Sequence, residues 1–371
     1  MLILYELGSS LVTGGSMRTE QDSWIATLIG LGMTIPLLLL YAKLQTLCPN
    51  GDIYDMSRTA FGKVAGSAVT LLFSLYALHL GAMVIRNFTE YIQVLSLPET
   101  PQPVCAVCIG ALAFFTVQKG LEVSARSAEF VMPIGYAVIG ILVALVTKNM
   151  EFSNLQPFLN HDARSLFSDG FSALTFPFAE SVVFLSVFCT VEKPAASFRK
   201  IYLMGTLVAG AVLTVLLVGD IAVLGMPIAR MLFFPTYETV GVVDIGNFIS
   251  RIEVLVSGNF IVFGLVKIST CMYVGCRGIM RVMNWKNIKL LAGVVTIAMI
   301  VASQLLYKST MEMFTFLDIY KRYAPFFEIA LPLALLAGLM LHRGKKPDGA
   351  PAEAPGAQTA GENAQDAPDG T

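Results

Sequence analysis

The sequence predicts an all-α integral membrane protein of about ten transmembrane helices, arranged as two sets of five, with the first and sixth helices broken. Three observations carry that expectation. Of 371 residues, 55% are hydrophobic and only 14% are charged, against about 25% charged in a soluble domain, and the mean hydropathy is +0.69. The apolar residues fall into runs close to the ~20 residues that a spanning helix needs. Two of these runs, at corresponding places in the two halves, contain residues that interrupt a helix: Gly8-Ser9-Ser10 in the first, and Thr175-Phe176-Pro177-Phe178-Ala179-Glu180-Ser181 in the sixth.

In chain order, the first run covers residues 2–15 and is short for a span. It lacks the basic start of a signal peptide, and Glu6 interrupts it, so the expectation is a shortened first helix whose other half lies upstream. Further spans are expected near 24–45, 65–96, 103–119, 124–147, 169–190, 200–225, 252–278, 288–307 and 324–342. Residues 52–62 are too polar to span and read as a short surface helix. With the N-terminus inside, 15 of the 25 Lys and Arg fall in cytoplasmic segments and 8 in outer ones, Arg86 and Lys267 lying within spans. By the positive-inside rule both termini are cytoplasmic. Residues 1–343 thus form one membrane domain. From 344 to 371 the chain is Gly, Pro, Ala, Asp and Gln without an aromatic residue, which predicts a disordered tail.

Several function classes find no support. A net charge of −1 offers nothing to nucleic acid. Six cysteines are too irregularly placed for a disulfide framework, and Cys105-x-x-Cys108 lies in an apolar run with no His or acid beside it. His79, His161 and His342 are far apart in sequence. No nucleophile motif, phosphate loop or zinc signature occurs, so neither an enzyme nor a cofactor or metal is expected.

The informative residues are the polar groups inside spans: Glu6, His79, Arg86, Glu90, Glu180, Asp220, Lys267 and Glu328. Arg86 and Glu90, four apart, read as an intrahelical pair. Asp220 and Glu328 fall near expected helix ends and read as interfacial. Glu180 and Lys267 are deeper; an ionisable group at that depth must face protein or water and find a partner. Interrupted helices at equivalent places in two halves point to a binding site near the bilayer midplane. The amides of Gly8, Ser9 and Ser10 would receive a carboxylate, and carbonyls freed around Phe176, Pro177 and Ala179 an ammonium, so a zwitterion suits both. Ser269 and Tyr273 share one face of the eighth helix, and Tyr76, His79 and Met83 one face of the third. The expected ligand site is therefore Gly8, Ser9, Ser10, Tyr76, His79, Met83, Phe176, Pro177, Ala179, Glu180, Ser269 and Tyr273, with Glu180 and Lys267 as coupling or structural charges. Hydroxyls bonded to the preceding turn, or faces packed against other helices, account for the serine, the tyrosines and the third-helix trio equally well.

Over nearly the whole chain the sequence resembles the B-subunit spore germination proteins, a branch of the amino acid–polyamine–organocation transporters. The likeness rests on Gly8-Ser9-Ser10, Gln21-Asp22-Ser23-Trp24, Leu97-Pro98-Glu99-Thr100-Pro101, Gly120-Leu121-Glu122-Val123, Asn154-Leu155-Gln156-Pro157 and Phe176-Pro177-Phe178-Ala179-Glu180. It continues in Phe234-Pro235-Thr236-Tyr237-Glu238, Ile245-Gly246-Asn247-Phe248 and Val266-Lys267-Ile268-Ser269. The resemblance implies a LeuT-type 5+5 inverted repeat and a germinant receptor of the spore inner membrane. There this subunit would recognise a small-molecule germinant, usually an amino acid, beside an A subunit and a lipid-anchored C subunit. Two departures stand out: about ten residues that normally precede the first helix are missing, and Glu6 replaces an uncharged residue. The alternative on the same fold is a proton- or sodium-coupled amino acid permease.

Overall fold

Backbone groups in a bilayer must be satisfied internally, and the chain answers with helices throughout. The structure, a computed structural model, describes residues 1–13, 17–190, 195–242 and 253–341. No strand occurs among the described residues. The helices are α1 Leu2–Thr13, α2 Ser23–Leu47, α3 Ile53–Leu95, α4 Gln102–Lys119, α5 Leu121–Val146, α6 Ala163–Ala173 and α7 Ala195–Leu224. They continue as α8 Met226–Ala229, α9 Pro235–Gly241, α10 Glu253–Met283, α11 Ile288–Leu306, α12 Thr310–Pro325 and α13 Leu331–Leu341. Eight helical stretches among the described residues are long and apolar enough to cross a membrane. Adding the shorter α1 and the interrupted stretch that starts with α6 brings the segments to the ten expected. The expected tail, 344–371, and the 245–248 motif lie outside the described residues.

Local sequence sets the boundaries. Asp52 caps α3 by accepting the amides of Tyr54 and Asp55, and the Asp55 carboxylate accepts the Asp52 amide in return. The expected surface helix is the first turns of α3, set off from the span by Gly62, whose φ of +79° and ψ of −177° a residue with a side chain adopts at a cost. α12 and α13 are one bent stretch, joined by a π-helical turn, Phe326–Ala330, after Pro325. Helical structure therefore begins at Thr310 and not near 324. The polar residues Glu312, Asp318, Lys321 and Arg322 mask a helical spacing of buried positions at Met313, Leu317, Tyr320 and Ala324.

The sixth stretch is broken as expected. After α6 comes a π-helical turn, Leu174–Phe178, in which Phe176 leaves helical geometry (φ −132°, ψ 115°), and then 3₁₀ turns over Ala179–Ser186. Pro177 supplies no amide donor, so the α-helical ladder cannot continue through it. The expected break in the first helix is corrected: α1 runs unbroken through Gly8, Ser9 and Ser10. Packing outweighs their weak helix propensity. α1 lies against α10, and a Cβ on Gly8 would sit 3.0 Å from the Phe263 carbonyl oxygen and 3.2 Å from the Lys267 Cβ. The Ser10 hydroxyl donates back to the Glu6 carbonyl within the helix.

The helices meet in a regular way. α3 packs against α10, α2 against α7, α4 against α11, and α1 against the broken stretch. Counting spans rather than helices, each of the first four meets the one five places on. α2 also meets α6 closely, where Gly30 faces Gly170 with no room for a Cβ on either. At the rim, Asp22 is fully buried and accepts the amides of Leu159, Asn160 and His161 at 2.7–3.2 Å, tying the loop before α6 to the start of α2.

Candidate functional site

Two features dominate the interior: a cavity, and a buried polar network beneath its floor. The cavity has a volume of about 530 Å³. Its floor is the broken stretch, at Phe176, Pro177 and Phe178, together with Ser10 of α1; its walls come from the later turns of α7 and the first turns of α12. The wall is mostly apolar, with Leu213, Leu217 and Phe314. At its rim Arg18 pairs with Asp318 at 2.5 Å, and Lys321 lies 3.8 Å from the same carboxylate. Asp220 also lines it, buried rather than interfacial, and accepts a hydrogen bond from Thr236 at 2.7 Å. α9 packs over this end of α7 and brings Thr236 to the carboxylate, which buries Asp220 although it lies near the helix end.

Under the floor the network is closed to solvent. Lys267 of α10 and Glu180 of the broken stretch form a fully buried ion pair, which meets the expectation that each needs a partner. The ammonium also donates to the Ser9 hydroxyl at 2.9 Å and sits 5.1 Å and 5.2 Å from the Tyr5 and Phe176 ring centres, where ring faces attract a cation. Tyr320 donates to Glu180 Oε1 at 2.9 Å and lies 3.2 Å from Glu328 Oε1. Tyr76 lies 2.8 Å from the same Glu328 oxygen and 3.0 Å from the Tyr320 hydroxyl. Glu328 is thus fully buried at the core, which corrects its expected interfacial place. The helix start at Thr310 moves it from a helix end to the π-turn at mid-span.

The expected site residues divide accordingly. Ser10, Phe176 and Pro177 line the cavity, while Ser9, Glu180, Lys267 and Tyr76 belong to the network below. Gly8 faces α10 and serves helix packing. Its amide and those of Ser9 and Ser10 lie inside a continuous helix, so the expected carboxylate receptor is not formed there. Ala179 turns its carbonyl to the Tyr41 hydroxyl at 3.2 Å. His79 Nε2 is 2.5 Å from the Tyr323 hydroxyl, whose other neighbour is the Met83 sulfur at 3.9 Å. Ser269 donates to the Leu265 carbonyl at 2.6 Å, one turn back, and Tyr273 accepts from Arg277 at 3.2 Å. None of these last five lines the cavity. Arg86 and Glu90 form the expected pair at 2.8 Å, buried, with Thr310 donating to the other Glu90 oxygen. Tyr320 was hidden to sequence reading by the polar residues around it; the 313, 317, 320, 324 spacing was the available signal.

At the end of α10 remote from Phe263, Arg277 binds the fully buried Asp52 at 3.0 Å, and Arg281 binds Asp55 at 2.8 Å. These pairs tie α10 to the start of α3. No group of three or more His, Cys, Asp or Glu suited to a metal ion occurs among the described residues.

Apolar helices long enough to cross a membrane, and a broken stretch that floors a cavity above a buried ion pair, define a multi-pass membrane protein with a polar core. The chain belongs to the family described as spore germination protein, whose model matches residues 1–311. It is 26% identical over 291 residues to spore germination protein KB of Bacillus subtilis (strain 168), covering 77% of this chain and 78% of that one. It is 23% identical over 270 residues to spore germination protein GerQB of Bacillus cereus, 72% of each chain. It is 20% identical over 263 residues to spore germination protein XB of Bacillus anthracis, 69% of this chain and 71% of the relative. It is accordingly a membrane protein of spore germination.

Proposed function

We propose that this chain is the germinant-recognising membrane subunit of a spore germination receptor, and that it binds a small nutrient of the amino acid class in the cavity above Phe176. The cavity carries the proposal. Its 530 Å³ exceeds the volume of any amino acid, its apolar wall suits a side chain, and Arg18, Asp318, Lys321 and Asp220 offer both signs of charge to a zwitterion. In this reading the chain sits in the spore inner membrane with both termini cytoplasmic and the cavity facing outward, beside A and C receptor subunits. A LeuT-type relation between the two sets of five is supported by the meeting of each early span with the one five places later. The membrane-embedded Glu180–Lys267 pair favours a second reading, a proton- or sodium-coupled amino acid permease, because a buried ion pair is a ready coupling element.

The test is a thermal-shift and calorimetric screen of the purified chain in nanodiscs against the protein amino acids. A ligand present at 100 times its Kd stabilises the native state by about 2.7 kcal/mol. At least one amino acid should do so, and Thr315→Trp, which puts an indole into the cavity from α12, should remove the effect while leaving basal stability near wild type. If no amino acid stabilises the chain, and spores carrying Thr315→Trp germinate normally, the cavity is not the germinant site. Concentrative uptake by proteoliposomes of the isolated chain would select the permease reading.

A further inference from the structure

Three carboxyl groups, Glu6, Glu180 and Glu328, and one ammonium, Lys267, lie in this core, and all four side chains are fully buried. Fully ionised, the group would carry two uncompensated negative charges at bilayer depth, where an unpaired charge is costlier than the neutral acid. The contacts say which carboxyl group is ionised. Lys267 meets Glu180 directly, and Tyr320 donates to the same carboxylate, so Glu180 has the partners of an anion. Glu6 and Glu328 do not. Glu6 Oε1 receives the Thr206 hydroxyl at 2.6 Å, Glu328 Oε1 has the two tyrosine hydroxyls, and the second oxygen of each has no hydrogen-bond partner among the described residues.

Counting hydrogens strengthens the case at Glu328. Four O···O contacts of 2.8–3.2 Å join Tyr76, Tyr320, Glu180 Oε1 and Glu328 Oε1. The two phenols bring one proton each and fill two of them. A proton on Glu328 Oε1 supplies a third, giving a chain in which Glu328 donates to Tyr320 and Tyr320 donates to Glu180.

We propose that the Glu6–Glu180–Lys267–Glu328 cluster is a proton-binding site that holds two protons in this conformation, one on Glu6 and one on Glu328, with Glu180 ionised against Lys267. The other polar groups facing the cluster are hydroxyls and a thiol: Thr206 and Tyr202 from α7 and Tyr136 from α5 at Glu6; Tyr5 and Ser9 from α1 and Cys271 from α10 beside the ion pair; Tyr76, Tyr320, Tyr323 and, from α2, Tyr41 at Glu328. Among the described residues none supplies a second cation, so two protons are what balance the cluster. Glu328 is the more exchangeable, because Tyr320 links it to the ion pair and packs edge-on, at 6.3 Å, against Phe176, which lines the cavity. The site stands independently of which nutrient, if any, the cavity takes.

Infrared spectroscopy of the purified chain in nanodiscs reads this directly, because a protonated carboxyl group absorbs apart from a carboxylate. At neutral pH, Glu6→Gln should remove one protonated-carboxyl band and Glu328→Gln another. Lys267→Met, which takes away the cation, should add one as Glu180 becomes neutral. Isotope-labelled glutamate in the wild-type chain should shift both bands, so the assignment survives a variant that does not fold. Absence of any glutamate-derived protonated band in the wild type, or bands that outlast both Gln substitutions in folded protein, overturns the proposal.

Discussion

Replacing Lys267 by Met removes a buried cation at nearly constant volume and leaves Glu180 inside the protein with Tyr320 as its remaining hydrogen-bond donor. Breaking a buried ion pair from one side costs about 3–5 kcal/mol. An independent route gives a similar figure. Glu180 escapes its charge by taking up a proton, and at pH 7 that costs about 3.7 kcal/mol for a carboxyl group with an ordinary pKa of about 4.3. The lost donor to Ser9 adds about 1 kcal/mol. The Lys267→Met variant should therefore be about 4–5 kcal/mol less stable at pH 7. A folded state that binds one more proton than the unfolded state loses stability as pH rises, so this deficit should shrink by about 1.4 kcal/mol for each pH unit the sample is lowered. Adding Glu180→Leu removes the stranded acid, and the double variant should return to within about 2 kcal/mol of wild type with no such pH slope. Thermal unfolding in nanodiscs across a pH series measures all three proteins. Equal stability of the single and double variants, or a single-variant deficit that ignores pH, would refute the pairing.

Other perturbations separate packing from site chemistry. Gly8→Val should cost about 1–3 kcal/mol by pushing α1 off α10 at Phe263 and Lys267, and Gly8→Ala less, both read by thermal unfolding. Ser269→Ala should change stability and germinant response little, because the hydroxyl bonds back to the Leu265 and Val266 carbonyls of its own helix; a large shift in germinant sensitivity would contradict that placement. Asp22→Ala strands three amides at the rim and should cost about 1–3 kcal/mol, with faster proteolysis at residues 156–162 as the local readout. Phe176→Ala should cost about 3 kcal/mol, the low end for a core phenylalanine because one side already faces the cavity.

How far the sequence reads true depends on which physical effect decides each element. Hydrophobic runs and the missing donor of Pro177 act locally, so the spans and the break at Phe176 are visible from residues alone. The Gly8-Ser9-Ser10 interruption misleads because its meaning is set by another helix. Glycine there permits the close approach of α10, a contact 255 residues away in sequence at Phe263 that no local pattern announces. Ser269 and Tyr273 share a helix face as the spacing requires, yet a shared face does not say whether it meets a ligand, its own backbone or an arginine. Glu180 and Lys267 were legible because burial in a membrane demands a partner, and each is in the other's reach.

Glu328 shows where that logic must be applied with the boundary in hand. Near a helix end a carboxylate can reach interfacial water; one bend further into the same stretch, it cannot. The sixteen residues of α12, whose polar side chains look like a loop, move Glu328 into the core, and once there it needs either a cation or a proton. The cation of this core is committed to Glu180. The proton is what remains, and the two phenols of Tyr76 and Tyr320, useless as counter-charges but able both to donate and to accept, are the groups that a protonated acid beside an ionised one requires.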